Sequence, residues 1–211
     1  MDSAGDTFLT SSLAELVVVP ANEASWPDLR AIFGTTGDPG HCYCQWFKVR
    51  HRDWSALSVE QRRDRLREQT HCDHPGAGIT TGLVGYLGSE PVGWAAVESR
   101  TGYARLAVTR NVWAGRAEDK ADDSVWAVTC FVTRRGYRKQ GISYALAAAT
   151  VDIARQRGAR ALEAYPLRTP PGAAVPSGSL YVGTRQIFAA AGFTEVSCPA
   201  PGRVVMRIEF G

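Results

Sequence analysis

The stretch VWAVTCFVTRRGYRKQGISYAL, residues 125–146, decides the fold. Its first part, Val125 to Thr133, is almost continuous in β-branched, aromatic and small apolar residues, which is typical of a strand buried on both faces. Apolar residues at helical spacing then predict a helix from Ser143 to Arg157, with Gly158 as its C-cap. The sequence therefore predicts a central strand, a basic turn and a helix in direct succession.

The turn between this strand and this helix, Arg138 to Ser143, favours anion binding. The first turn of a helix leaves backbone N–H groups unpaired and carries the positive end of the helix dipole, so it attracts phosphate oxygens. Gly141 lets the backbone approach such a ligand closely. The alternative interpretation is a basic, glycine-containing turn without a ligand.

The elements on either side predict a mixed α/β fold. Strands are expected at Glu15–Val19, Ile79–Leu87, Pro91–Glu98, Ala161–Tyr165 and Val204–Phe210, the last closing the sheet, and helices at Trp26–Phe33, Ser58–Gln69 and near Thr184–Ala190. Residues 34–54 predict a built loop, 109–123 a polar loop, and 166–178 a stretch rich in Pro, Gly and Ser. At 211 residues, the chain is expected to form one domain with a loose segment over about residues 1–14.

The order of these features closely resembles the GNAT superfamily of N-acetyltransferases. The resemblance is carried by the strand, the Arg138-x-x-Gly141-x-Ser143 turn, the helix, the next strand and Phe188-x-x-x-Gly192-Phe193, and it is most specific over residues 125–193. Ser143 departs from the small residue, Gly or Ala, that usually ends the family's turn. The resemblance implies a central mixed, mostly antiparallel sheet flanked by helices, and acyltransferase activity with acetyl-CoA as co-substrate.

The resemblance also implies where acetyl-CoA binds. The pyrophosphate would lie on the turn residues, and the pantetheine arm would pair with the backbone at the splayed end of the central strand. The implied binding residues are Phe131, Val132, Thr133, Arg138, Lys139, Gln140, Gly141, Ile142 and Ser143.

The proton-transfer groups are less well marked. Many family members carry a tyrosine four residues before the glycine of the Gly-Phe pair, where it protonates the leaving thiolate, but here that position is Phe188. Tyr181 is the nearest substitute, with an anchor for the adjacent loop as the alternative; Tyr165, Tyr144 and solvent are further choices. Candidate bases are Glu98, Glu163 or a water relay, and both glutamates could instead be ordinary sheet-edge charges.

The segment GHCYCQWF, residues 40–47, lies where GNAT-like folds place the acceptor-binding region. Tyr43, Trp46 and Phe47 could form the wall of an acceptor pocket or belong to a core. Zinc is a further alternative, from the ligands Cys42, Cys44, His71, Cys72 and His74, but their spacing is not that of a standard zinc finger, and no metal is assigned. A thiol nucleophile beside His41 or His51 is also left open.

The composition constrains the class of partner. Hydrophobic residues make up 45% and charged residues 21%, as in ordinary globular proteins, and the net charge of +3 is too small to indicate a nucleic-acid surface. The sequence predicts a cytoplasmic enzyme with reduced thiols, no membrane or nucleic-acid partner, and a small-molecule or peptide amine as acceptor; a homodimer is left open. The alternative functions are an acyl-CoA-binding module with little turnover and a metal-dependent regulator.

Overall fold

The computed structural model describes residues 16–168 and 177–211. The strands are β1 (Leu16–Pro20), β2 (Leu83–Leu87), β3 (Glu90–Ser99), β4 (Val125–Thr133), β5 (Ala161–Ala164), β6 (Thr194–Ala200) and β7 (Arg203–Glu209). The helices are α1 (Trp26–Phe33), α2 (Gly37–Cys42), α3 (Val59–Thr70), α4 (Arg110–Trp113), α5 (Ile142–Gln156) and α6 (Arg185–Ala190). The predicted loose segment and most of the predicted Pro/Gly/Ser-rich stretch lie outside the described residues.

The strands form one seven-stranded sheet in the order β1-β2-β3-β4-β5-β7-β6. Every neighbouring pair is antiparallel except β4 and β5, which are parallel and connected through α5. This mixed, mostly antiparallel sheet flanked by helices confirms the predicted fold class. None of the described helices has the length and apolar character that a membrane crossing requires.

Helix α5 packs on one face of the sheet and is held very close to β3. A Cβ built on Gly93 would lie 2.7 Å from Ile142 Cγ2 and 2.9 Å from Leu146 Cδ1, so only glycine fits there without a shift. Gly93 is paired with Thr133, the last residue of β4. The first turn of α5 is therefore fixed beside the end of the central strand.

The opposite face of the sheet is covered by α1, the chain after α2, and residues 100–113. Leu29 and Phe33 of α1 pack with Trp94 and Cys130 in one buried cluster. A second buried cluster packs residues of the 100–113 segment against the sheet. Its members are Tyr103, Leu106, Val112, Trp113, Ala127, Tyr165 and Val205.

The structure corrects three sequence predictions. The first hairpin strand begins at Leu83 rather than Ile79, whose side chain is 76% exposed. The predicted polar loop 109–123 contains α4, because Val112 and Trp113 are buried in its apolar cluster. The strand predicted to close the sheet, now β7, lies inside it, and the unpredicted β6 forms the edge, where Pro199 is tolerated.

Candidate active site

The edge of β4 that faces β5 is open over its last residues. The pairing of these strands runs from Val125 opposite Ala161 to Val128 opposite Ala164, where β5 ends. β4 continues to Thr133 and stays paired with β3 on its other side. The two parallel strands therefore separate after Val128.

A β-bulge marks the point where the strands separate. On β3, Ala96 pairs with Cys130 and Val97 pairs with Val128, so Thr129 is the extra residue of β4. Bulges bend a strand and are frequent next to active sites. Here the bulge coincides with the end of β5 and turns the last residues of β4 away from it.

The backbone of β4 after the bulge presents polar groups to this opening. The Arg134 amide donates to the Val92 carbonyl of β3 at 2.8 Å. Because alternate residues of a strand direct their backbone groups to opposite neighbours, the N–H and C=O groups of Phe131 and Thr133 point away from β3, and those of Val132 point toward it. Of the three strand residues predicted to bind the pantetheine arm, Phe131 and Thr133 thus offer backbone hydrogen bonds.

The turn before α5 has a left-handed backbone and unpaired amides. Gly141 is the N-cap of α5 at φ 77° and ψ 0°, and Lys139 has a φ of 64°. No side chain caps the helix, and in the described part of the chain no backbone acceptor pairs with the amides of residues 138–143. Left-handed residues that turn successive amides the same way form anion-binding concavities.

The side chains of the turn leave this concavity accessible. Arg138 and Lys139 are exposed, whereas Gln140 and Ser143 are half-buried. The Gln140 amide donates to the Gly136 carbonyl at 3.4 Å, and Ile142 is buried against Gly93. The structure thus gathers all six predicted turn residues at one helix end, next to the open end of β4.

Tyr181 and Phe188 take different positions near this opening. Phe188 is fully buried, and its ring lies 5.5 Å from that of Phe131 and 5.1 Å from that of Phe193, measured between centroids. Tyr181 is half-buried and packs against the apolar cluster that contains Val132 and Cys130. Burial raises the pKa of Tyr181, and the positive charge of Arg203 lowers it less. The Tyr181 phenol therefore stays protonated at neutral pH.

Glu98 lies on β3 opposite Ala127, just before the bulge. Its carboxylate forms an ion pair with Lys48, whose ammonium also donates to the Thr81 hydroxyl at 3.1 Å. The Glu98 side chain is 21% exposed and the Lys48 side chain 8%. Glu98 is thus a largely buried carboxylate that keeps some access to water.

Glu163 is not a sheet-edge charge, because β5 lies between β4 and β7. Its side chain is completely buried and accepts hydrogen bonds from Arg116, from Arg207 Nη1 at 2.8 Å, from Arg100 Nη1 at 3.4 Å and from the Tyr165 hydroxyl at 2.7 Å. All these donors hold the carboxylate in place. Glu163 therefore has a structural role and is removed from the candidate bases. The Tyr165 hydroxyl is likewise engaged, because it donates to Glu163.

The three aromatic residues predicted to contact the acceptor differ in how deeply they are buried. Tyr43 is 6% exposed and stacks on Phe33 at 5.4 Å, so it belongs to the core rather than to a surface wall. Trp46 and Phe47 are half-buried. Trp46 contacts Trp54 edge-to-face at 5.1 Å, and Phe47 lies 6.3 Å from Tyr181.

The two cysteines on either side of Tyr43 are packed as apolar groups. Cys42 ends α2, and Cys44 has a left-handed backbone at φ 52°. The Trp94 indole donates to Cys44 Sγ at 3.1 Å, and burial raises the pKa of Cys42 to about 12. Over residues 16–168 and 177–211, no three His, Cys, Asp or Glu side chains gather closely enough to hold a metal ion.

The described residues thus place a parallel strand pair that separates next to a helix N-terminus with unpaired backbone amides. The sequence model of the acetyltransferase (GNAT) family matches residues 44–170. The chain therefore belongs to the GNAT family and is an acyl-CoA-dependent acetyltransferase. A search of curated proteins found no match.

Solved structures show the same fold at low sequence identity. A GCN5-related N-acetyltransferase from Kribbella flavida is 17% identical with a TM-score of 0.51, and the alignment covers 94% of this chain and 100% of that one. A further acetyltransferase is 20% identical with a TM-score of 0.54, covering 92% and 98%. YncA from Salmonella typhimurium, described with its cofactor acetyl-CoA, is 13% identical with a TM-score of 0.50, covering 92% and 94%.

Two features of the site had no signal in the sequence. The bulge at Thr129 depends on register between two strands, and nothing in the residues of β4 marks it. Arg105 lies outside every motif, yet it stacks on Trp46 with its guanidinium carbon 3.8 Å from the ring centroid. Both became visible only once distant segments were brought together.

Proposed function

We propose that the protein transfers an acetyl group from acetyl-CoA to a primary amine of a small molecule, an antibiotic or a peptide, by direct attack of the amine. The observation that carries this proposal is the opened edge of β4, which leads within a few residues to the unpaired amides of 138–143. This arrangement offers one continuous path of hydrogen-bond donors for a pantetheine arm and a pyrophosphate.

In this proposal the donor-binding roles divide between strand and turn. The backbone of Phe131 and Thr133 holds the pantetheine arm as an added strand would be held, and the amides of residues 138–143 hold the pyrophosphate. Arg138 and Lys139 add positive charge at the exposed rim, and Val132 contributes apolar packing. When bound, acetyl-CoA supplies the thioester carbonyl that the amine attacks.

The chain's own residues then manage the protons. The attacking amine forms the new C–N bond as the C–S bond breaks, so one proton must leave the nitrogen and one must reach the sulfur. Glu98 is the proposed acceptor of the first, through water, because its carboxylate is partly accessible. Tyr181 is the proposed donor of the second, since its phenol is protonated and its ring packs against the cluster that contains Cys130 of β4.

A second candidate function is an acyl-CoA-binding module with little turnover. It is favoured by the burial of Phe188, which fills the position of the family's usual acid with a phenyl ring. Binding alone would need the turn and the opened strand and neither proton-transfer group. The cytoplasmic location and the homodimer stay predictions from the sequence.

The two functions are separated by incubating the protein with acetyl-CoA and a panel of primary amines. The panel comprises small-molecule amines, aminoglycosides and peptides with a free amino terminus. Free thiol release is followed together with the mass of each amine. Acetylated product matched by thiol release supports the transferase, whereas acetyl-CoA binding without release from any amine supports the binding module.

A further inference from the structure

Arg105 is a cation that the fold buries beside the proposed acceptor region. Arg105 is 6% exposed, and its backbone amide donates to the Phe47 carbonyl at 2.9 Å. Its Nε donates to the Val49 carbonyl at 2.9 Å. The segment that carries Trp46 and Phe47 is therefore tied to Arg105 through both backbone and side chain.

The Arg105 guanidinium stacks on one aromatic ring and lies near a second. Its carbon lies 3.8 Å from the Trp46 ring centroid and 5.8 Å from that of Trp54. The Trp46 ring covers one flat face of the group, and because Nε donates to Val49, the donors left for a planar anion are those of the two Nη atoms. Arg105 is thus held with its orientation fixed before any ligand arrives.

Arg105 has no acidic partner among the residues of 16–168 and 177–211. Its Nη2 is buried without a hydrogen bond, and no carboxylate in this part of the chain forms an ion pair with it. A buried charge without a counter-charge is costly, and a bound anion would supply that counter-charge. Phe47, whose carbonyl accepts from the Arg105 amide, has its ring centroid 6.3 Å from that of Tyr181, so Arg105 lies on the same side of the molecule as the proposed acid.

The surroundings add positive charge rather than neutralise it. Arg203 lies near Tyr181 and donates to the Tyr165 carbonyl at 3.2 Å, again without a carboxylate among the described residues. Arg62 stacks on Trp54 at 3.9 Å and donates to backbone carbonyls. The nearby carboxylate of Glu98 is matched by Lys48. A bound anion would therefore find an excess of donors.

From this geometry we infer that the acetyl acceptor is an amine that also carries a carboxylate, which pairs with the edge of Arg105 while Trp46 and Phe47 contact its body. This inference rests on the proposed function and names the substrate class for the same site. Arg105 is then a specificity-determining residue, because a guanidinium and a carboxylate form paired, charge-assisted hydrogen bonds that an amide cannot reproduce.

The experiment compares acceptors that differ only at this group: amino acids, their carboxamides and the corresponding amines without the group, for aromatic, aliphatic and polar side chains. We expect kcat/KM for the carboxylate members to exceed that of the carboxamides by about 10- to 100-fold in the natural protein. Arg105→Met should abolish this preference, raise KM for the carboxylate acceptor and leave KM for acetyl-CoA unchanged. Arg105→Lys should restore part of it.

The matched control is Arg155→Met, which removes another arginine stacked on a ring, 5.1 Å from Phe210, at the far end of α5. It should keep the preference of the natural protein. Equal kcat/KM for carboxylates and carboxamides would overturn the inference while leaving the transferase intact, and this comparison needs no variant. If no amine were acetylated, the proposed function would fail first and the acceptor class with it.

Discussion

The ring of Phe188 packs against that of Phe131, with centroids 5.5 Å apart and planes inclined at 39°. Phe131 belongs to the opened end of β4 and Phe188 to α6, so the contact joins these two elements. Gly183 closes the same site, since a Cβ there would lie 2.7 Å from Phe188 Cε2. The residue at the family's usual acid position is thus a core residue.

Phe188→Tyr is expected to destabilise the protein without improving catalysis. The new hydroxyl would enter the apolar cluster around Phe131 and Phe193 without a partner, at a cost of about 1–3 kcal/mol in the free energy of unfolding. Urea unfolding measures this loss, and kcat should not rise. A more active variant of unchanged stability would show that the position still serves proton transfer.

Tyr181→Phe is expected to lower kcat by roughly 100-fold and to leave KM for acetyl-CoA unchanged, because the phenol donates the proton that the thiolate needs. Tyr86→Phe, which alters a half-buried tyrosine on β2 whose hydroxyl donates to Asp28 at 2.9 Å, is the matched control and should leave kcat unchanged. Equal kcat in the natural protein and Tyr181→Phe would assign Tyr181 to packing.

The pH dependence of kcat gives a second test of Tyr181. An acid works in its protonated form, and burial raises the pKa of this phenol above its ordinary value of 10.0. The protonated form therefore persists to higher pH than in an exposed tyrosine, so Tyr181 should cause no fall in kcat between about pH 7 and 9. A fall in that window that disappears in Tyr181→Phe would contradict this environment.

Glu163→Gln is expected to destabilise the fold by about 3–5 kcal/mol, since it removes the completely buried one of the two carboxylates, Glu163 and Glu118, that pair with Arg100, Arg116 and Arg207. Glu209→Gln is the matched control: Glu209 also pairs with Arg207, at 2.6 Å, but its side chain is 61% exposed. Its loss should cost less than about 1 kcal/mol. If both variants unfolded at the same urea concentration, the buried network would not have the structural role assigned to Glu163.

The central part of the fold was predictable because its signals are local. The apolar run of β4, the glycine at the cap of α5 and the spacing of Leu146, Ala149 and Ile153 each specify structure within a few residues. The structure confirms the strand, and α5 begins within one residue of the predicted Ser143. Edge strand β6 was missed because its side chains are mostly exposed, so no apolar pattern marks it.

The acceptor region was not predictable, because its contacts join segments far apart in the chain. Arg105 reaches Trp46 and Val49 across more than fifty intervening residues, and no periodicity connects them. Tyr43 and Phe47 look alike in sequence, yet the left-handed backbone at Tyr43 turns its ring into the core. Which aromatic faces a ligand is decided by such backbone details.

The most direct test of the account is the affinity for acetyl-CoA of Gly141→Glu, measured by isothermal titration calorimetry against the natural protein. Gly158→Glu is the matched control, because both glycines flank α5 and have nearly equal left-handed φ angles, 77° and 75°. The account predicts that Gly141→Glu abolishes binding, since its carboxylate occupies the proposed pyrophosphate site, while Gly158→Glu binds as the natural protein does. Unchanged affinity in a folded Gly141→Glu protein would contradict the assignment of residues 138–143 as the site of the pyrophosphate.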